Sequence, residues 1–171
     1  MKEKRNLMIL IMISSAIIGF IYEEIFYYFD LGYWVKRGST YGPWIPIYAF
    51  GGLFIYLLGN SHRKKPWLVF LVSLLTTGLL EYLTGFILLK VFHTRLWDYN
   101  KEILNFGNIQ GFICLRSVLL FGLSGLFIIY KMVPFFEQWI EKRKGKKLDT
   151  ACYSILGLFL LDIIVHLILK L

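Results

Sequence analysis

The chain has 171 residues, a net charge of +8, two cysteines, 57% hydrophobic and 18% aromatic content. Soluble domains carry about 45–50% apolar residues, so this composition excludes an ordinary water-soluble domain and implies an integral membrane protein. The basic residues lie in short stretches between apolar runs instead of on one soluble face, which argues against a nucleic-acid partner and for charges that set topology.

Met1 to Asn6 is a basic, polar start, and residues 7–29 form an apolar run long enough to cross a hydrocarbon core of roughly 30 Å. The run continues well past the small residues Ser14-Ser15-Ala16, so an uncleaved anchor is expected instead of a signal peptide. Further spans are expected at about 41–58, 67–89, 109–133 and 148–169, with a short interfacial helix at about 135–144 after Pro134. The fold class is therefore an all-α polytopic helix bundle of about five transmembrane helices, with residues 1–171 as a single membrane domain. Cys114 and Cys152 sit in apolar runs with no ligand-like spacing. In the five-span arrangement they lie roughly 20 Å apart in depth, too far for a disulfide.

Lysine and arginine set the orientation. With the amino terminus in the cytoplasm, twelve fall inside (Lys2, Lys4, Arg5, Arg63, Lys64, Lys65, Lys131, Lys142, Arg143, Lys144, Lys146, Lys147) and six outside (Lys36, Arg37, Lys90, Arg95, Lys101, Lys170). The carboxyl terminus is then extracytoplasmic. Lys142, Arg143, Lys144, Lys146 and Lys147 are expected on anionic lipid headgroups, and the same run also serves as a plain stop-transfer signal.

The stretch from Lys36 to Gly52 differs from ordinary lipid-facing helix. It combines Lys36, Arg37, Gly38, Gly42, Pro43 and Pro46 with the aromatics Tyr41, Trp44, Tyr48 and Phe50. Irregular backbone at membrane depth is tolerated only against protein or a water-filled cavity, so the stretch is expected to line a cavity or to pack internally. A glycine-rich interfacial turn anchored by Tyr41, Trp44 and Tyr48 explains the same composition.

Glu23, Glu81, Arg116 and Asp162 interrupt the apolar runs. At about 1.5 Å per residue, Glu23, Glu81 and Asp162 lie roughly 20–24 Å up from the cytoplasmic ends of their runs, and Arg116 about 10 Å below the outer edge. The four are expected in one layer facing the bundle interior, because ionisable groups in hydrocarbon must be paired or hydrated. Pairing of Arg116 with one of the carboxylates is the purely structural alternative. Thr77, Gly78, Thr84 and Gly85 share a helix face with Glu81, a small and polar face suited to another helix. Asp162 and His166 are four apart on one face, but a histidine near the helix end needs no ligand, and neither a metal nor a cofactor is assigned. No Walker loop, nucleophile elbow or HExxH motif occurs.

Four ordered motifs carry a family resemblance: Tyr41-Gly42-Pro43-Trp44-Ile45-Pro46-Ile47-Tyr48, Glu81-Tyr82-Leu83-Thr84-Gly85, Trp97-Asp98-Tyr99, and Asn108-Ile109-Gln110-Gly111-Phe112-Ile113-Cys114-Leu115. Together they resemble the bacterial family of putative ABC-transporter type IV permeases. The resemblance implies a small multi-span inner-membrane protein, with any ATPase supplied by a separate subunit. Ala49 stands where the family has glycine, and Arg116 is a departure from its pattern. Candidate substrate or ion-site residues are Glu23, Arg37, Tyr41, Trp44, Glu81, Trp97, Asp98, Tyr99, Asn108, Arg116 and Asp162. Three functional readings stay open. The first is a transporter component with an acidic intramembrane site near the outer leaflet. The second is an intramembrane enzyme acting on a lipid or isoprenoid head group, with Glu23, Glu81 or Asp162 as acid or base. The third is an accessory structural subunit. Self-association into a homo-oligomer is compatible with each.

Overall fold

The computed structural model describes residues 2–170; Met1 and Leu171, the two ends of the 1–171 domain, lie outside the described residues. The chain is helical in the order α1 (Lys2–Leu31), α2 (Pro46–Phe54), α3 (Pro66–Phe92), α4 (Leu115–Phe127), α5 (Val133–Arg143) and α6 (Lys146–Lys170). Among the described residues, extended pairing is limited to an isolated bridge between Ile109 and Ile113.

Local chemistry sets the helix ends. α1 stops at Gly32, whose φ of 80° only glycine adopts without strain and whose N–H donates to Tyr28 O at 2.9 Å. α3 starts on Pro66, where a missing N–H costs nothing, and ends at His93 in the left-handed region. Cys114 and Ser117 cap the start of α4 reciprocally.

Among the described residues, four helices are long and apolar enough to cross a membrane: Lys2–Leu31, Pro66–Phe92, Leu115–Arg143 and Lys146–Leu169. Two sequence expectations change here. The helix expected as a separate interfacial element at 135–144 instead continues the preceding span. Pro134 does not break it, because the chain passes through a π turn at Ile128–Met132, whose wider hydrogen bonding accommodates a residue without an N–H. The run expected as a second span, 41–58, becomes helical only at Pro46 and extends through a π turn at Ile55–Gly59. Residues that precede proline are pushed to extended geometry, and Ile45 before Pro46 has φ −119° and ψ 117°.

The start of α2 lies beside the middle of α1, not its end. Ile45 N–H donates to Ala16 O at 3.2 Å. A Cβ on Gly52 would fall 2.2 Å from Ser15 Oγ, and Tyr56 shares a small cavity with Glu3 and Leu7. α2 thus runs antiparallel to the first half of α1, while the non-helical segment 32–45 descends along the second half.

α3 and α4 form the other tight pair, with Gly125 against Ser73 and Gly122 against Phe70. α6 packs on α1 through Leu148, Cys152 and Phe159 and exposes much of its remaining apolar surface. Cys114 and Cys152 are free thiols, both buried.

These close contacts give a stability prediction. A Cβ on Gly125 would lie 2.0 Å from Ser73 Oγ, whereas one on Gly157 meets nothing within 4 Å. Gly125→Ala should cost about 1–3 kcal/mol by overpacking, and Gly157→Ala should be neutral or stabilising by up to about 1 kcal/mol. Heating in detergent with a thiol-reactive dye reads both, through exposure of Cys114 and Cys152. Equal midpoints for the two variants would contradict the α3–α4 contact.

Candidate functional site

The non-helical descent between α1 and α2 leaves space between the helices. A cavity of about 410 Å³ lies there, lined by residues of α1, the 36–39 segment, α2, α3, the 93–114 loop and α4. Its volume falls within the roughly 300–1,000 Å³ of small-molecule sites.

Three carboxylates face it, and two have a basic partner. Glu23 Oε2 accepts from Arg37 Nε at 3.3 Å. Arg37 is fixed further: its backbone N–H donates to Glu24 Oε1 at 2.6 Å and its guanidinium lies 3.5 Å over the Tyr27 ring. Glu102 Oε2 accepts from Arg116 Nη2 at 2.6 Å, and Tyr27 donates its hydroxyl to Glu102 Oε1. The Arg116 guanidinium also donates to Ile103 O at 3.2 Å and stacks 3.9 Å over Phe26. Both pairs tie a loop to the bundle, since Arg37 and Glu102 come from loops while Glu23 and Arg116 come from helices.

Glu81 differs. It is 5% exposed and its partners are hydroxyls: Tyr99 Oη donates to Oε1 at 2.5 Å, and Ser117 Oγ lies 3.0 Å from Oε2. Ser117 also lies 2.9 Å from Cys114 O, so its single proton serves one acceptor at a time. Among the described residues no lysine, arginine or histidine nitrogen lies within 4.0 Å of the Glu81 carboxylate.

Of the residues singled out by sequence, Glu23, Arg37, Glu81, Trp97, Tyr99 and Arg116 line this cavity. Arg116 pairs with Glu102, not with a carboxylate of the spans. Trp97 is held by its indole N–H on Phe112 O at 2.9 Å. The other sequence candidates lie elsewhere. Asp162 of α6 accepts from Tyr41 N at 3.0 Å, Gly42 N at 2.7 Å and Trp44 Nε1 at 2.7 Å, so both of its oxygens are committed to the 41–44 segment. Asp98 and Asn108 organise the 93–114 loop. Asp98 pairs with Arg95 at 2.7 Å, and Asn108 bridges Asn100 Oδ1 at 2.9 Å and Gly111 N at 2.8 Å.

Slight burial pushes the Asp98 carboxyl up. Hydrogen bonds from the Asn100 side chain and backbone, with the charge of Arg95, outweigh it and hold the group below the ordinary aspartate range. The stability this adds to the loop is present above the ordinary range and is lost as pH falls through the lowered value.

Sequence reasoning missed Tyr27, Glu102 and Ser117. Glu102 lies in a polar loop, where a carboxylate reads as an ordinary solvated charge. The signal for Ser117 was its spacing from Cys114, three residues apart at a helix start, the arrangement of a reciprocal cap.

The Arg116–Glu102 contact predicts a mutant cycle. Arg116→Met or Glu102→Gln alone leaves one buried group uncompensated and should cost about 3–5 kcal/mol. The double variant should recover most of that loss, whereas Arg116→Met with Glu81→Gln should not. Thermal unfolding of the four variants checks this, and recovery in the Glu81 combination would reassign the partner of Arg116.

The model of the family described as "Putative ABC-transporter type IV" matches residues 9–167. No curated protein and no solved structure matches the chain. The matched region contains α2 to α5 whole, α6 but for its last residues, most of α1, both loops and every residue of the cavity. This multi-pass membrane protein belongs to the family described as putative ABC-transporter type IV.

Proposed function

We propose that the protein is the membrane-embedded component of a transporter that admits its ligand into the cavity from the extracytoplasmic side, in a bacterial inner membrane. In this reading the amino terminus is cytoplasmic, the carboxyl terminus is outside, and a separate ATPase subunit supplies nucleotide hydrolysis. The observation that carries the reading is the cavity itself, enclosed by α1 to α4 and both outer loops and holding two fixed ion pairs beside one carboxylate with hydroxyl partners. Family membership adds the transporter class.

The segment 32–62 supplies the fifth crossing, half as irregular backbone and half as α2 with its π turn. Discontinuous helices with a site near mid-depth are a recurrent construction in transporters, because the unwound backbone offers polar groups where a continuous helix offers none. The exposed Lys142, Arg143, Lys144, Lys146 and Lys147 lie on the cytoplasmic leaflet in this orientation. Glu23, Arg37, Glu81, Trp97, Tyr99 and Arg116 form the ligand-facing set, and Asp162, Tyr41 and Trp44 hold the cavity wall.

A second reading, an enzyme acting on a lipid or isoprenoid head group, rests on Glu81 beside the Ser117 hydroxyl at 3.0 Å, a base next to a nucleophile. Two measurements separate the readings. A tagged chain purified in mild detergent from its own bacterium should bring down an ATPase subunit, and a deletion strain should keep its lipid composition. An altered lipid profile with no ATPase recovered would replace the transporter reading with the enzyme. Topology is read independently: a reporter in the Arg63 to Lys65 turn should be active only in its cytoplasmic form, and one at the carboxyl terminus only in its extracytoplasmic form.

A further inference from the structure

Resting on that reading of the cavity, we infer that its ligand carries a single positive charge on an apolar, aromatic-compatible body, and that Glu81 is its counterion. The charges facing the cavity carry the inference. Glu23 is matched by Arg37 and Glu102 by Arg116, each within ion-pair distance. The third cation of the lining, Lys36, is occupied at the exposed edge, with Nζ 3.0 Å from Tyr41 O and 5.9 Å from the Tyr41 ring centre. Glu81 is left as a carboxylate 5% exposed, facing the cavity and bonded, among the described residues, by hydroxyls alone.

Two hydroxyl donors orient a carboxylate, but they do not neutralise it. In a site shielded from water the remaining charge is balanced by a proton or by a cationic group of the ligand. The cavity favours the second at the moment of binding. Tyr22, Phe26, Tyr48 and Trp97 line it, and aromatic faces attract a desolvated cation. An anionic ligand meets the opposite: it faces Glu81, and the positive charge of each arginine is already matched by a carboxylate. The ligand class selected is therefore an organic ammonium ion with a hydrophobic body.

The test uses three probes of one shape and different charge on the full chain in detergent: 2-phenylethylammonium, 2-phenylethanol and 3-phenylpropanoate, each titrated by calorimetry. The ammonium should bind saturably, at least tenfold tighter than the alcohol, and the carboxylate should not bind. Glu81→Gln should bring the ammonium down to the level of the alcohol. Tyr99→Phe, which removes a hydroxyl bond and keeps the charge, should preserve the tenfold preference. Protection of the Cys114 and Cys152 thiols verifies that each variant is folded. Equal or tighter binding of the alcohol or the carboxylate, or a tenfold ammonium preference that survives in folded Glu81→Gln, overturns the charge assignment and leaves the cavity as a ligand site. Absence of saturable binding by all three probes overturns both the assignment and the use of this cavity for ligands of this size.

Discussion

The arrangement depends on how the non-helical segment 32–45 satisfies its backbone beside the middle of a long apolar helix. In hydrocarbon each unpaired N–H or C=O costs several kcal/mol, so such a segment persists only where protein groups meet its needs. Asp162 meets three of them, accepting from the backbone N–H groups of Tyr41 and Gly42 and from the Trp44 indole. Ala16 O takes the N–H of Ile45, Glu24 takes that of Arg37, and the Thr40 hydroxyl donates to Trp44 O at 2.6 Å. The carboxylate bonds are charge-assisted and thus among the stronger ones available. α6 is otherwise thinly packed, and Asp162 with Phe159, edge-on to Trp44, fixes its carboxyl-terminal half to the segment.

Everything in the cavity follows from that descent. Because the chain comes down unwound to Ile45, α2 begins beside Ala16, and its first residues form a wall that a full-length helix would have filled with side chains. The segment brings Arg37 to Glu23, and the 93–114 loop brings Glu102 to Arg116 and Tyr99 to Glu81. Two loops thus deliver charges and a hydroxyl to three helices. The helices supply fixed partners, so the site is preorganised by two ion pairs and carries one carboxylate, Glu81, without a basic partner among the described residues.

Particular residues show what was legible in the sequence. The spans of α1, α3 and α6 were readable because unbroken apolar runs of membrane length have few other fates. The unusual stretch around Gly42, Pro43 and Pro46 marked irregular backbone correctly in kind, since each proline restricts its predecessor, but helix depth is set by tertiary contact and not by local propensity. For that reason the start of α2 moved from Tyr41 to Pro46. Pro134 misled for a related reason: a π turn absorbs a missing N–H, and nothing local distinguishes such a turn from a break. Depth arithmetic brought Glu23, Glu81 and Arg116 to one level, yet depth says nothing of the side of the bundle, and Asp162 lies on another. Glu102 escaped because a loop carboxylate carries no periodic signal, and only the folded loop turns it inward.

The descent of segment 32–45 to the middle of α1 is directly accessible to cross-linking. With Cys114 and Cys152 replaced by serine or alanine, Ala16→Cys and Ile45→Cys should form an intramolecular disulfide under mild oxidation in membranes, because Ile45 N and Ala16 O lie 3.2 Å apart. A cysteine at Ile45 that cross-links instead to one at Tyr28, near the carboxyl-terminal end of α1, would place the start of α2 at that end of the helix and rule out the descent.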